Sequence, residues 1–430
     1  MLIDGKPITG KDAINFFNLK KETLKKLGVQ NYVVKNKFKD IKQIFESDTG
    51  MVIGQCVKDC SLDINGKVPL TLKNGEGYVM PLNHFVHGFK NKDKNNIVFK
   101  PYRKTFTELF NRYKGQDLSN KRILISRTGG LGDLIVTQSV IKAIKHFFPT
   151  CKVTYATTPA FVSLFNSFPK GLIDGIAGIP YNQKLLREND YHMLFIHAIE
   201  NCTDTQKDNY YEVFKKVSCL DYNPKDFISE LIPVPEITQQ LKQVNAVKDN
   251  TILFHMLSTT ALRSYPMAHW VDLIKILNER GYKVGLIDQK DKHDEIEKFI
   301  VGCGLDTEKV YSLAKFSETI SHGIALFDLC IGGVTIDSTF AHVAGGLKKP
   351  TVTICGPYGA HNVVGYYDTV AGIERPSGWN ECGKAPCHLN GQQHLCPYVV
   401  ANQNPGCQSS IEPIRIANLL EEQLDKYGKK

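Results

Sequence analysis

The stretch "RILISRTGGLGDLIVTQSVIKAI", residues 122–144, decides how the chain is read. An apolar run, Ile123–Ile125, ends in a turn holding Thr128, Gly129, Gly130 and Gly132, and an amphipathic run follows. Val136, Val140, Ile141, Ile144, Phe147 and Phe148 fall on one face at helical spacing, so the stretch predicts strand, turn and helix. The turn is neither of the two common phosphate loops. No glycine completes Gly-x-Gly-x-x-Gly, and no Gly-Lys-Ser/Thr follows. What remains is Asp133 where the helix starts. By residue type it reads as an N-cap. Glycines ahead of it would also let the backbone pass close to a ligand, and a carboxylate there can serve as a general base.

From residue 121 the chain alternates short apolar strands with amphipathic helices. "KVTYAT" and "YHMLFIHAI" continue the rhythm of a parallel sheet. A polar, proline-bearing stretch, "LIPVPEITQQLKQVNAVKDN", then separates a second half of the same kind. Its expected strands are "TILFHML", "YKVGLID", "KVYSLA", "LCIGGV" and "TVTICG", with helices over 266–280 and 338–347. The expected class is α/β, with two Rossmann-like doubly wound domains, 121–240 and 250–430, facing a cleft. The last helix, 414–427, is expected to pack back across the hinge.

Residues 1–120 read as a small α+β module with a linker. A helix is expected around 11–27, and strands broken by "INGK" and "KNGEG", where Asn-Gly signals hairpins. The module holds 21 of the 53 Lys and Arg but 12 of the 44 Asp and Glu, a surplus equal to the net charge of +9. Lys20, Lys21, Lys25, Lys26, Lys35, Lys37 and Lys39 form its densest cluster. Such a surface is either solvated or docks something anionic. Building a homo-oligomer is the competing role. No apolar run is long enough to span a bilayer, and the first residues carry acid where a signal peptide needs an apolar core, so a cytoplasmic protein is expected. Eight of the twelve cysteines are scattered singly and read as small core residues.

"RTGGLGDLIVTQSVIKAIKHFFP" resembles the opening of the heptosyltransferase family, glycosyltransferase family 9, whose members have the GT-B fold. "GGVTIDSTFAHVAGGLKKPTVTICGP" resembles the same family's donor-site signature. The resemblance runs from residue 122 to the final helix. It implies an inverting transfer of a sugar from an ADP- or UDP-linked donor, with no divalent metal needed for catalysis. Asp133 then takes the acceptor proton, beside the acceptor-side loop Thr128, Gly129, Gly130 and Gly132. Asp337 would bind donor-sugar hydroxyls, Ser338 and Thr339 would open a helix whose N-terminus holds diphosphate, and His342 would line the site or pack in the core. In "STTALRSYPMAHW" the family's usual Lys is Arg263, which keeps the charge and adds bidentate geometry. Ser258 and Thr259 would touch phosphate.

"CGKAPCHLNGQQHLCPYVVANQNPGC" spaces Cys382, Cys387, Cys396 and Cys407 as C-x4-C-x8-C-x10-C, a quartet able to hold structural Fe or Zn. His388 and His394 are alternative ligands, and disulfides are the competing reading. The segment also resembles one found in iron-containing protein heptosyltransferases. Three functions stay open: a glycosyltransferase, a nucleotide-sugar epimerase, and a non-catalytic sugar-nucleotide sensor. For a transferase the acceptor is a glycan such as lipopolysaccharide, a protein, or a hydroxymethylated DNA base of the phage type.

Overall fold

The computed structural model of the chain describes residues 2–3, 6–7, 51–56, 59–64, 68–81, 99–101, 106–196, 199, 208–258, 260–384, 387 and 395–428. The expected helix over 11–27, the seven clustered lysines, Thr259, His388 and His394 lie outside them. The chain divides into two units. The first is Met1–Gly129, Ile144–Val162 and Ile173–Ile196; the second is Gly130–Ala143, Ser163–Leu172 and His197–Lys430.

In the first unit β1 (Leu2–Ile3) and β2 (Lys6–Pro7) form a ribbon. They are followed by β3 (Met51–Cys56), β4 (Cys60–Ile64), β5 (Val68–Leu72), β6 (Gly77–Pro81) and β7 (Phe99–Pro101). The "INGK" hairpin forms, since β4 pairs antiparallel with β5. The "KNGEG" hairpin does not. Gly75, at φ 80°, donates its N–H to the Cys56 carbonyl (2.8 Å), and this turn lays β6 against β3 instead of β5. Next come β8 (Arg122–Arg127), β9 (Lys152–Thr157), β10 (Gly175–Gly178), β11 (Tyr181–Asn182) and β12 (Tyr191–Leu194). β10-β9-β8-β12 is a parallel sheet, and β11-β6-β3-β7 is antiparallel. Ile123, Leu124 and Ile125 are all buried, as a strand covered on both faces requires. Met51, Ile53 and Val79 of the antiparallel sheet share a core with Leu124 and Ala156 of the parallel one.

After β8 the expected single helix is two, α1 (Leu131–Val136) and α2 (Gln138–Phe147), with Thr137 between them. Val136, Val140, Ile141 and Ile144 are buried as expected, but Phe147, at the helix end, is 47% exposed. In the second unit α3 (Tyr210–Ser218) and α4 (Pro235–Gln243) come first. α4 occupies the stretch read as a linker, because Pro235 sits in its first turn, where no N–H is missed.

The second unit's sheet contains β13 (Thr251–His255), β14 (Lys283–Leu286), β15 (Val310–Ser312), β16 (Gly332–Ile336), β17 (Thr351–Ile354) and β18 (Val370–Ile373). All are parallel, in the order β15-β14-β13-β16-β17-β18. The order reverses between β13 and β16, the switch point where doubly wound sheets bind ligands beyond their carboxyl ends. The helices that bear on the site and core are α5 (Met267–Glu279), α6 (Ile320–Leu329), α7 (Thr339–Leu347) and α8 (Pro413–Tyr427). Trp270 is fully buried against Phe254 and Tyr265, at 5.3 and 5.2 Å between ring centres. α8 packs on this same sheet, contrary to the expectation that it crosses a hinge. Its Ile416, Ala417 and Leu420 complete the core of Trp270 and Leu277, and Arg280 of the α5 end pairs with Glu421 at 2.6 Å. The cysteines are mixed: Cys56, Cys151, Cys330 and Cys355 are buried, but Cys219 is exposed, in a left-handed helix C-cap.

Gly345 on α7 has no room for a methyl group, since a Cβ there would lie 2.3 Å from the Tyr367 ring. Tyr367 cannot swing aside freely, because its hydroxyl bonds Tyr211 at 2.9 Å and His342 at 3.1 Å. Gly345→Ala should therefore lower stability by about 1–3 kcal/mol in chemical denaturation. Gly302→Ala meets nothing within 4 Å and should be neutral or slightly stabilising.

Candidate functional site

The glycine turn begins where β8 ends. Arg127 is buried and donates from Nη1 to the Phe195 carbonyl (2.6 Å), while the Thr128 carbonyl accepts from the Thr158 hydroxyl (2.8 Å). Gly130, at φ 52°, takes the N-cap position of α1, so Asp133 is not the cap. It lies three residues further on, in the first turn, where helix polarity favours a carboxylate. Its carboxylate turns back on Gly130: a Cβ there would lie 2.3 Å from Asp133 Oδ2. Gly132 serves a different purpose. A Cβ on it would lie 2.6 Å from the His342 ring, so the glycine lets α1 press directly on α7.

The other elements come from the switch point. After β13 the Ser258 hydroxyl accepts from the Thr260 N–H (3.2 Å), and Thr260 caps the turn Ala261–Arg263 by accepting from Leu262 N–H (3.3 Å). This turn presents Arg263, whose Nη1 donates to the Asp337 carbonyl (2.9 Å) and stands 3.6 Å from its carboxylate. Asp337 follows β16 and is only 3% exposed. Burial raises its carboxyl pKa, and Arg263 opposes that rise. Among the described residues its Oδ2 has no hydrogen-bond partner. Burial works against the Arg263 charge too, but the carboxylates of Asp337 and Asp133 favour it and the group stays protonated.

Ser338 is the N-cap of α7, yet its hydroxyl bonds His255 Nδ1 (2.9 Å) and does not cap the helix. Burial pushes His255 down to about 4, so the ring is neutral at pH 7. The first-turn N–H groups of α7, from Thr339 onward, thus receive no cap from the Ser338 side chain. His342, one turn in, is buried and held down to about 4 by burial and by Arg263. Its Nδ1 meets the Tyr367 hydroxyl at 3.1 Å and its ring packs beneath Gly132, contacts that describe packing between α1 and α7. Thr260, Tyr210 and Tyr358 had no sequence signal. Thr260 is a loop hydroxyl, and the two tyrosines arrive from α3 and from the loop after β17.

Cys382, Cys387, Cys396 and Cys407 line one small cavity with Trp379 and Tyr398. Burial and then the other three thiols push Cys407 up to about 12. Cys382, Cys396 and Cys407 form no disulfide. As the thiols stand, no three His, Cys, Asp or Glu among the described residues are grouped as a metal site. By residue type the four cysteines are donors for a thiophilic ion, but they share only the lining of this cavity and not a ligand cluster. The same cavity reaches Leu262 and Pro357, next to Arg263 and Tyr358.

Residues 190–391 match the glycosyltransferase family 9 (heptosyltransferase). Lipopolysaccharide heptosyltransferase 2 of Escherichia coli K12 is 22% identical over 206 residues, 45% of this chain and 58% of that enzyme. The chain thus aligns with somewhat more than half the length of that curated relative. Among solved structures, E. coli ADP-heptose lipopolysaccharide heptosyltransferase II has a TM-score of 0.53 at 14% identity, covering 71% of this chain and 99% of that one. The iron-containing dodecameric glycosyltransferase TibC of enterotoxigenic E. coli H10407 has a TM-score of 0.51 at 13% identity, covering 87% and 91%. TibC is also solved in complex with ADP-D-β-D-heptose. At these identities the structural likeness is one of fold. Parallel sheets and solved neighbours agree on the GT-B fold, and residues 190–391 are heptosyltransferase-like, matching glycosyltransferase family 9.

Proposed function

We propose that the protein transfers a sugar, with inversion, from a nucleotide-linked donor to an acceptor hydroxyl. One observation carries this reading. Asp133, Arg263 and Asp337, drawn from three distant stretches, all lie close enough to Tyr210 for their charges to act on it. Asp133 takes the acceptor hydroxyl's proton as the oxygen attacks the anomeric carbon. The bond to the diphosphate breaks on the opposite face, and Arg263 with the α7 N-terminus receives the charge that leaves. Asp337 accepts hydrogen bonds from donor-sugar hydroxyls, a use for the Oδ2 that lacks a partner. Ser258, Thr259, Ser338 and Thr339 border the diphosphate, and His342 supports the wall beneath Gly132. An epimerase or a sensor would have no use for a base beside the acceptor.

ADP-heptose is the first donor to try, since TibC binds ADP-D-β-D-heptose. UDP-sugars are the second. The basic residues 1–120 suit an anionic acceptor, a lipopolysaccharide or a protein, with hydroxymethylated DNA the further candidate. The same module could instead build a homo-oligomer, and TibC is dodecameric. A cytoplasmic setting suits a chain whose thiols must stay reduced. Among the described residues no helix is long and apolar enough to cross a membrane. Cys382, Cys387, Cys396 and Cys407 would hold a structural Fe or Zn that braces the segment beside Leu262. Transfer itself then needs no metal.

Asp133→Asn should lower transfer by about 10²-fold or more, the scale of a lost general base, with donor affinity nearly unchanged. Release of free nucleotide in the presence of acceptor reads this, and normal turnover would reduce Asp133 to a helix-end carboxylate. Calorimetry with bare ADP separates the donor residues. Arg263→Ala should weaken ADP markedly and Asp337→Asn only slightly, and the reverse order would overturn the division of roles. Elemental analysis of protein purified without chelator should find about one Fe or Zn per chain. Absence of metal, together with a disulfide-linked peptide from 382–407, would remove the metal reading.

A further inference from the structure

Tyr210 opens α3, and an unusual number of bonds fix where it stands. Asn209 caps the helix by accepting from Tyr211 N–H (3.0 Å) and donates its amide to the His361 carbonyl (2.6 Å). Asn362 donates to the Asp208 carbonyl (2.9 Å), so the residues before Tyr210 are tied twice to the short helix Ala360–Val364 that follows β17. On the other side, Tyr211 bonds Ser229 and Tyr367 through its hydroxyl, at 2.8 and 2.9 Å. Between these anchors the Tyr210 ring lies 6.2 Å from the His342 ring and meets Tyr358 edge-on at 5.9 Å. The residue is 6% exposed.

Its hydroxyl is the anomaly. Among the described residues it makes no hydrogen bond, although the neighbouring phenols of Tyr211 and Tyr367 are bonded to each other. A hydroxyl with no protein partner, on a side chain only 6% exposed and fixed on both sides, is left to meet a ligand group. The groups that act on it electrostatically are Asp337, Tyr358, Asp133 and Arg263, the residues assigned above to donor and acceptor together with one further tyrosine. Asp337, the residue assigned above to the donor sugar, is among the groups that act on it, and the Tyr210 ring packs beside His342 on the helix that Asp337 precedes. A phenol both donates and accepts, as does a sugar hydroxyl.

We infer that Tyr210 is a donor-binding residue whose hydroxyl hydrogen-bonds the transferring sugar of the nucleotide sugar. This rests on the glycosyltransferase reading and deepens it, by naming the sugar as the part of the donor that α3 reads. Burial and the two carboxylates hold the phenol protonated, with its pKa well above the ordinary value, so the proton needed for donation is always present. The ring alone would serve as a packing surface for His342 and Tyr358. The hydroxyl has no structural task to explain it.

The test compares full-length wild type with Tyr210→Phe and Tyr211→Phe, using ADP, ADP-heptose, UDP and UDP-glucose as calorimetric probes alongside thermal melts. Tyr210→Phe keeps the ring and loses no protein hydrogen bond, so its melting temperature should equal or exceed wild type. Its affinity for the preferred nucleotide sugar should fall about tenfold, the scale of one hydrogen bond, with the bare nucleotide unaffected. Tyr211→Phe, which loses bonds to the Ser229 hydroxyl, the Ser229 N–H and Tyr367, should melt earlier without that selective loss. Unchanged nucleotide-sugar affinity in Tyr210→Phe overturns the inference, as does an equal loss for bare nucleotide, which would assign the hydroxyl to the diphosphate. Wild-type protein that binds bare nucleotide and no more tightly any nucleotide sugar overturns the donor reading and the inference with it. The wild-type column alone identifies that case.

Discussion

A carboxylate buried at the end of β16 with one guanidinium beside it is the constraint around which the second unit's site is arranged. Asp337 is almost fully enclosed, and an uncompensated charge in such a place costs several kcal/mol. Arg263 offsets part of that cost from 3.6 Å, and it can do so only because Thr260 caps the turn that carries it. One oxygen of Asp337 still lacks a partner. Stability alone would favour an apolar pair of similar size here. In the proposed function the retained charge receives ligand hydroxyls, and the neutral His255 bonded to Ser338 keeps a competing positive charge out of the region.

Close packing through glycine is the second organising feature. Gly132 brings α1 onto His342, and Gly345 on the same α7 accepts the Tyr367 ring. His342 and Tyr367 are hydrogen-bonded to each other, and Tyr367 in turn to Tyr211 of α3. Asp133, Tyr210 and the α7 N-terminus are therefore carried by elements that share one buried aromatic and imidazole network. Small displacements of α7 would be felt by Asp133 and Tyr210 alike. The cysteine cavity is also lined by Leu262 and Pro357, which neighbour Arg263 and Tyr358 in the chain.

Much of this was legible in the residues. The continuous apolar run of β8, the strands of the second half and the placing of α5 and α7 follow from periodicity and turn chemistry, and they emerge within a few residues of expectation. Local chemistry also singled out Asp133, Arg263 and Asp337, because carboxylates and guanidinium at strand ends have few structural uses. Where reading failed, a competing contact decided. The Asn74-Gly75 turn forms, but β5 already pairs with β4, so β6 joins β3. The supposed linker contains α4, because proline in a first turn permits a helix as readily as it breaks one.

The sequence by itself determined the α/β class and the order of most strands and helices, and it singled out Asp133, Arg263 and Asp337 as candidates, since these depend on spacing and residue type along the chain. Only the tertiary structure decided that Gly130, not Asp133, caps α1, that α8 packs on its own sheet, and that Ser338 gives its hydroxyl to His255. Tyr210 belongs to the same class. A tyrosine opening a helix carries no signal until folding sets its hydroxyl among Asp337, Asp133 and Arg263, which stand 127, 77 and 53 residues away in the chain. Contacts at such separations are chosen by the packing of whole helices and sheets, and no local pattern encodes them.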